Sequence, residues 1–368
     1  CWMQLKKKRF TIMKLHIFNP GHDIALAAND EKMTAPHAVK QMQTDLGFIP
    51  ALWADNCDYI LVDDPNNTIS NNEYRRYIHN VKYINWNDLR EIDKEKLEVS
   101  PWGWDKMIRY KLSIASEGKL DGYMPDAMQL EKIREISGRN WASENLLTNL
   151  LNCDKTCVGE SVAMDDYNKL INVLDKVDNG LAYQYVLKAP WSSSGRGLRY
   201  VDLQNEGISE HLQGWIKNVI RKQGQVMVEP YYNKIRDFGM EFIAHTNGEI
   251  EYLGLSVFST LNGAYMGNIL TTEEEKEKLL SRYINAEILV EIRNTITFIM
   301  NGKLRGIYSG PFGIDMMIVN GGKIHPCVEL NLRRTMGHVA LDLTRKMTEK
   351  HIMQMEFNAG HYSLKIKN

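Results

Sequence analysis

The most constraining feature of the sequence is a hairpin that places three oxygen-bearing side chains side by side. The segment "GPFGIDMMIVNGGKIHPCVELNLRR" (310–334) holds two apolar runs separated by Asn-Gly-Gly, a turn signature of adjacent antiparallel strands. Glu329 and Asn331 are two residues apart, so they project from one face of the second strand, with Asp315 roughly opposite on the first. Such oxygen donors suit Mg²⁺ that bridges substrate phosphates. We therefore predict a metal site rather than a solvent-facing polar stripe, because apolar residues alternate with these three.

A second segment, "VLKAPWSSSGRGLRY" (186–200), ends an apolar strand on Lys188 and continues into a loop of serines and glycines. The backbone N–H groups, the hydroxyls and Arg196 of this loop are suited to binding oxyanions. The segment matches neither the P-loop nor the G-x-G-x-x-G pattern. Taken alone, it is equally compatible with a phosphate-binding loop and with a flexible hairpin tip that carries an incidental lysine.

A third segment, "VMVEPYY" (226–232), is an apolar strand that breaks at Glu229-Pro230. Backbone groups exposed at such a break can hydrogen-bond a flat heterocycle. Asp237 follows eight residues after Glu229, and its carboxylate can accept hydrogen bonds from ribose hydroxyls. Viewed in isolation, an ordinary strand–turn–strand with acidic turn residues is the better interpretation.

Together and in this order, the three segments resemble the ATP-grasp superfamily over residues 139–368. The most specific element is Asp315 combined with Glu329-x-Asn331-x-Arg333. The resemblance implies a nucleotide held between two α+β subdomains, with ATP and one or two Mg²⁺ ions as cofactors. The early lysine that the family often uses is not obvious in this chain, and Arg139 is the candidate to replace it.

The resemblance also assigns roles to single residues. The metal ligands are expected to be Asp315, Glu329 and Asn331, whereas Arg333 is expected to hold acyl-phosphate oxygens and Arg196 to reach the terminal phosphate. The residues expected to bind the nucleotide are Arg139, Lys188, Ser192, Ser193, Ser194, Gly195, Glu229, Pro230, Tyr231 and Asp237.

The fold class that follows is α/β and α+β. Residues 13–100 contain three β-like runs with helical patches between them, which predicts a small parallel sheet; they resemble the Rossmann-like domain that commonly precedes an ATP-grasp module. Residues 101–138 have helical periodicity and are predicted to form a connector. Residues 139–368 would form the two-subdomain ATP-grasp domain.

One polar cluster, "NPGHDIALAAND" (19–30), follows the first predicted strand. At the carboxyl end of a parallel strand, Asn19, His22, Asp23 and Asn29 can face a ligand. We favour the alternative of a satisfied turn, in which His22 and Asp23 cap the helix that follows.

Composition narrows the class of protein. With 45 basic and 46 acidic residues the net charge is −1, so nucleic acid is not an expected partner. The sequence has no run of 18 apolar residues, which argues against a membrane span. None of the five cysteines forms a Cys-x-x-Cys pair, which predicts reduced thiols in a cytoplasmic protein. We interpret residues 1–12 as an upstream extension and Met13 as the natural start; the oligomeric state stays open.

The expected function is an ATP-dependent ligase that activates a small-molecule carboxylate as an acyl phosphate for attack by an amine. Two alternatives stay open: a kinase that phosphorylates a small-molecule hydroxyl, and a regulatory module that binds nucleotide without turnover. The complete set of Asp315, Glu329, Asn331 and Arg333 argues against loss of turnover. The sequence does not disclose the two substrates.

Overall fold

The computed structural model describes residues 13–68, 72–93, 97–175, 184–192, 195, 197–203, 207–261 and 264–368. The first of its three sheets is parallel throughout, in the order β3-β2-β1-β4. Its strands are β1 Met13–Ile17, β2 Tyr59–Leu61, β3 Lys82–Ile84 and β4 Leu97–Pro101. Ile17 and Pro101 are register partners, so the carboxyl ends of β1 and β4 meet at one edge of the sheet.

Short helices connect and flank this sheet. They are α1 His22–Ala28, α2 His37–Leu46, α3 Pro65–Thr68, α4 Lys106–Ala115 and α5 Ala127–Ile136, with 3₁₀ turns at Ile49–Leu52, Asn72–Tyr77, Trp86–Arg90 and Asp121–Tyr123. The start of α4 is fixed by Asp105, whose carboxylate accepts a hydrogen bond of 2.8 Å from the Ile108 N–H. A capping box of Asp126 and Gln129 fixes the start of α5 in the same way.

A continuous helical stretch leads into the second sheet: α6 Arg139–Ala142, a π-helical turn at Ser143–Leu147 and α7 Thr148–Leu150. The second sheet is antiparallel, in the order β5-β8-β6-β7. Its elements are β5 Val162–Met164, α8 Tyr167–Asp175, β6 Gln184–Lys188, β7 Leu198–Asp202, α9 Glu210–Gln223 and β8 Val226–Pro230. A separate apolar core that includes Leu187, Ile216 and Val228 holds the helices on the sheet.

The third sheet has seven antiparallel strands in the order β13-β12-β9-β10-β11-β14-β15. Its strands are β9 Lys234–Ala244, β10 Ile250–Leu261, β11 Ala264–Leu270, β12 Gly310–Val319, β13 Lys323–Asn331, β14 His351–Asn358 and β15 His361–Lys367. The helices are α10 Glu273–Leu280, α11 Glu287–Leu304 and α12 Met336–Thr344. One apolar core includes Phe242 and Ile314 of this sheet together with Leu15 of the first, so the two sheets share their packing.

The predicted fold class is confirmed: a small parallel sheet precedes antiparallel α+β units, and Asn320-Gly321-Gly322 joins β12 to β13 as an antiparallel hairpin. Strand β4 was not predicted, because its five residues mix polar and apolar side chains over a very short run. The domain boundaries inferred from the sequence stay a prediction. In the described part of the chain, no helix combines the length and the apolar composition that crossing a membrane requires.

Candidate active site

The β12–β13 hairpin brings the three predicted metal ligands together. Asp315 is the register partner of Glu329, and Gly313 is that of Asn331. The Asn331 side-chain amide donates to the Asp315 carboxylate at 3.1 Å. The register shifts between Met317 and Asp315, so Asp315 faces Glu329 rather than Cys327, with which the pairing next to the turn would align it.

The carboxylate of Asp315 lies in a strongly acidic environment. Burial raises its pKa well above the usual range, and the nearby Glu329 and Glu241 carboxylates raise it further, against the opposing effects of Arg333 and Asn331. A divalent cation would relieve this repulsion. Among the described residues, no three His, Cys, Asp or Glu side chains are arranged to hold a metal by themselves. The donors fit Mg²⁺ that completes its shell with waters and phosphate oxygens.

Arg139 lies at the start of α6 and reaches two parts of the site. Its guanidinium donates to Glu329 at 2.6 Å, and it also donates to the Ala189 carbonyl at 2.7 Å and to the Ser192 hydroxyl at 2.9 Å. The side chain is buried, and its Nε has no hydrogen-bond partner among the described residues. Arg139 thus links the acidic hairpin to the start of the serine-rich loop.

Lys188 ends β6 as the sequence predicts, and it is ion-paired. Its Nζ lies 2.6 Å from Oε2 of Glu229 on β8, and both side chains are buried. The second oxygen of Glu229 accepts a hydrogen bond of 2.9 Å from Ser161. Sequence reasoning assigned the Glu229 region a backbone role; the structure adds a side-chain role, because Glu229 holds the Lys188 ammonium in place.

The loop after β6 is described only in part. Ser192 packs against Gly197, where a Cβ would overlap the serine side chain, and the Gly195 carbonyl accepts from the Leu198 N–H at 3.2 Å. Gly195 has a φ of +74°, a conformation that favours glycine. Ser193, Ser194 and Arg196 lie outside the described residues, so their assignments stay predictions.

The remaining residues expected at the base and ribose follow β8. This strand ends at Pro230, and Tyr231 is 38% exposed with its ring 5.9 Å from that of Tyr200. The Asp237 carboxylate lies at 2.6 Å from the Lys234 ammonium and accepts from the Thr260 hydroxyl at 2.7 Å. No ligand role of these residues follows from these contacts alone.

Arg333 lies beyond the end of β13, and its partner comes from the first sheet's region. The guanidinium makes two hydrogen bonds of 2.9 Å to the carboxylate of Asp23 on α1. Burial alone would raise the pKa of Asp23, but the charge and hydrogen bonds of Arg333 outweigh it and lower the pKa below the usual value. Asp315 and Glu329 also act on the Arg333 guanidinium and help to raise its pKa against the effect of burial.

The predicted capping of α1 is wrong. Gly21 precedes the helix, and no side chain makes a capping hydrogen bond there. His22 instead contacts the Asp105 carboxylate at 3.1 Å, while Asp23 is bound by Arg333. The alternative interpretation, with polar side chains at the strand end directed toward a site, describes Asp23 better.

Sequence reasoning missed Glu241 on β9. This buried carboxylate accepts a hydrogen bond of 2.8 Å from Thr335, the N-cap residue of α12. A Cβ at Gly313 or at Gly337 would overlap the Glu241 side chain, so two glycines make room for it. A charged residue inside the apolar run "GMEFIA" (239–244) was the available signal.

A narrow cleft of about 10 Å³ lies beside these side chains, between α1, the end of β13 and the start of the serine-rich loop. Its polar lining residues are His22, Asp23, Ser137, Ser192, Glu329 and Asn331, and its apolar lining residues are Leu26, Pro190, Trp191, Leu330 and Leu332. The cleft therefore connects the Asp23–Arg333 pair to the acidic hairpin.

Comparisons with known proteins show which solved structures have a similar fold. No protein-family model matches the sequence, and neither does any curated protein. Solved structures do match. A biotin carboxylase from Campylobacter jejuni, crystallised as a β,γ-ATP complex, is 14% identical over 94% of this chain and 75% of that chain, with a TM-score of 0.50.

Two further matches have lower scores. A biotin carboxylase domain of 2-oxoglutarate carboxylase from Hydrogenobacter thermophilus, solved with MgADP, ADP and bicarbonate, is 12% identical over 94% of this chain and 75% of that chain, at a TM-score of 0.49. A putative ATP-grasp superfamily protein from Archaeoglobus fulgidus is 10% identical over 97% of this chain and 99% of that chain, at 0.45. At these identities the likeness concerns the fold alone.

Proposed function

Because the chain has the ATP-grasp fold, we propose that it is an ATP- and Mg²⁺-dependent ligase that joins a small-molecule carboxylate to an amine. The observation that carries the proposal is the pairing of Asp315 with Glu329 across the hairpin, with Arg139 and Arg333 beside it. This arrangement of carboxylates and guanidiniums suits a reaction in which charge on transferred phosphoryl oxygens must be neutralised.

The metal would be held by Asp315, Glu329 and Asn331. Bound there, Mg²⁺ would neutralise phosphate charge and fix the triphosphate in one orientation. Arg139 and Lys188 are the cations that would meet the phosphates, because each is buried on a rigid element at the edge of the serine-rich loop. Both are now held by carboxylates, of Glu329 and Glu229 respectively, which keeps their charges pre-oriented.

The nucleoside would lie at the end of β8. Backbone groups of Glu229, Pro230 and Tyr231 would read the base, and Asp237 would accept hydrogen bonds from the ribose hydroxyls. Support for this placement comes from the position of Pro230, which ends β8 next to the strand that carries Lys188.

Arg333 would bind the oxygens of the acyl phosphate. In the first step a substrate carboxylate oxygen attacks the γ-phosphorus, the bond to the β–γ bridging oxygen breaks and ADP leaves. In the second step the amine nitrogen attacks the acyl carbon, the carbon–oxygen bond breaks, inorganic phosphate leaves and the nitrogen loses a proton. The bidentate fork that now binds the Asp23 carboxylate has the geometry that a phosphoryl or carboxylate group requires.

The test is substrate-dependent ADP release in Mg²⁺ buffer, with a panel of small carboxylates and amino acids offered together with amines. The expected result is ADP and phosphate formation that needs both a carboxylate and an amine. ADP formation with a hydroxyl compound alone, without release of phosphate, would replace the ligase by a kinase. Tight ATP binding with no turnover on a panel that contains the substrate would contradict catalysis.

A further inference from the structure

One buried histidine has no hydrogen-bond partner among the residues that the structure describes. His16, His22, His325 and His338 are each no more than 4% exposed. His16 contacts Asp58, His22 contacts Asp105, and His338 contacts Thr335 and the Phe242 carbonyl. In contrast, both ring nitrogens of His325 are buried without a hydrogen-bond partner among the described residues. Buried polar groups in native proteins are nearly always hydrogen-bonded, so this exception needs a reason.

A charge on the ring does not supply that reason. Burial lowers the pKa of His325 to about 4, against the effect of the Glu229 carboxylate, while Lys188 lowers it further. The imidazole is therefore neutral at physiological pH. A neutral imidazole carries one N–H donor and one acceptor nitrogen, and neither has a partner among the described residues.

The position of His325 connects it to the proposed nucleotide site. The ring lies near Lys188 and Glu229, whose charges act on it, and its centroid is 5.5 Å from that of Tyr232, just after β8. On another side the linker before β5 closes in, because a Cβ on Gly159 would lie 2.9 Å from the imidazole Nε2. Both carboxylate oxygens of Glu229 are already engaged by Lys188 and Ser161.

We infer that His325 reads the nucleotide base: one ring nitrogen accepts a hydrogen bond from the exocyclic amino group of adenine in the proposed nucleotide site at the end of β8. The inference rests on the proposed function, since it assumes a nucleotide at the end of β8. It explains why a polar group is retained at a site where an apolar side chain would leave nothing unpaired. It makes His325 a residue that determines specificity for an amino-bearing purine.

The test compares His325→Leu with the unmodified chain in three binding measurements and one stability measurement. The ligands for calorimetry are ATP, purine riboside triphosphate, which lacks the amino group, and inorganic triphosphate, which lacks the nucleoside. His325→Leu is expected to weaken ATP binding by about 10-fold or more. Binding of the two other ligands is expected to change less than about 3-fold, and the melting temperature of the free protein should stay equal or rise.

His16→Leu is the matched control. It removes a buried histidine of the first sheet whose ring nitrogens have partners, Asp58 and Trp53. This variant should lower the melting temperature and leave ATP affinity unchanged. His325→Leu should thus lose ATP affinity and keep its stability, whereas His16→Leu should lose stability and keep its ATP affinity. This contrast separates a ligand-binding histidine from one that only supports the fold.

Two results would overturn the inference: unchanged ATP affinity in His325→Leu, or equal losses for ATP and for inorganic triphosphate. If His325→Leu does not fold, His325→Gln, which keeps a donor and an acceptor, and His325→Asn, whose amide is shorter, replace it. If the affinity for ATP falls equally in these two variants, and the affinity for inorganic triphosphate falls with it, the result counts against base recognition. A wild-type chain that binds no nucleotide would contradict the proposed function itself.

Discussion

At the scale of single residues, Glu329 lies beside one charge of its own sign and one of the opposite sign. It faces the Asp315 carboxylate across the ladder and accepts a hydrogen bond from the Arg139 guanidinium. Glu329→Gln removes a metal-binding charge while it keeps the shape of the side chain. We expect Mg²⁺-dependent ADP formation to fall by about 100-fold or more, because stabilisation of phosphoryl charge is lost.

The matching measurements are steady-state ADP release at several Mg²⁺ concentrations and thermal unfolding. Stability should change little, since weaker repulsion with Asp315 offsets the weaker pair with Arg139. Glu98→Gln, at an exposed position of β4, is the control and should leave both readouts unchanged. Full Mg²⁺-dependent turnover in Glu329→Gln would exclude this hairpin as the metal site.

A second residue-scale prediction concerns the Lys188–Glu229 pair. Lys188→Met leaves the buried Glu229 carboxylate without its cation, so the free energy of unfolding should fall by about 3–5 kcal/mol. The double variant Lys188→Met/Glu229→Gln removes both charges and should regain most of that loss. Both variants should bind ATP more weakly than the unmodified chain, because both lack the phosphate-binding cation.

Urea unfolding and ATP titration of the two variants check this prediction. The double variant separates a loss of folding from a loss of binding, which the single variant mixes. ATP binding that returns together with stability would show that Lys188 acts only through Glu229.

At the scale of elements, the turn between β12 and β13 joins the two strands that carry the acidic pair. Gly321 has a φ of +80°, and a Cβ there would meet nothing within 4 Å, so Gly321→Ala isolates the conformational cost. We expect it to destabilise the protein by about 1 kcal/mol. Gly302→Ala, on α11 and equally open, should instead stabilise by about 0.5–1 kcal/mol.

Chemical denaturation of both glycine variants measures the change in the free energy of unfolding, which should be negative for Gly321→Ala and positive for Gly302→Ala. Because the strands that leave this turn carry Asp315 and Glu329, Gly321→Ala should also lower ADP formation, whereas Gly302→Ala should not. Equal stability changes of the same sign would mean that backbone conformation is not what Gly321 contributes.

At the scale of the whole molecule, the Asp23–Arg333 pair joins α1 to the end of the third sheet across 310 residues of sequence. Both side chains are less than one-fifth exposed. We expect Asp23→Asn to lower the free energy of unfolding by about 1–3 kcal/mol at neutral pH. It should also lower turnover, since the guanidinium loses the group that orients it.

The pH dependence has a definite sign. The pKa of Asp23 is depressed in the folded protein, so its contribution is present above the unfolded value of about 3.9 and is lost as the pH falls through the lower folded value. The stability difference between the unmodified chain and Asp23→Asn should be constant from pH 7 to about pH 5 and shrink below about pH 4. A difference that persists at pH 2.5 would mean that the ion pair is not its source.

The sequence by itself determined the local geometry of the site. An Asn-Gly-Gly turn and the two-residue period of strands predict the antiparallel hairpin that carries Asp315, Glu329 and Asn331. The register shift between Met317 and Asp315, which makes Glu329 the partner of Asp315, is not contained in that pattern. The end of an apolar run likewise placed Lys188 at the root of a polar loop. These features depend on neighbours a few residues apart, and a pattern in the chain records them directly.

Only the tertiary structure decided which distant groups meet. Arg139 and Glu329 are 190 residues apart, and Asp23 and Arg333 are 310 apart. No local period specifies such pairs, because they form when separate sheets pack on a shared apolar core and bury charges that then require partners. The same packing surrounds the His325 ring and leaves its nitrogens without a hydrogen-bond partner in the described part of the chain. Hydrophobic alternation therefore sets which face of a strand is buried, whereas the burial of charge between elements selects the partners.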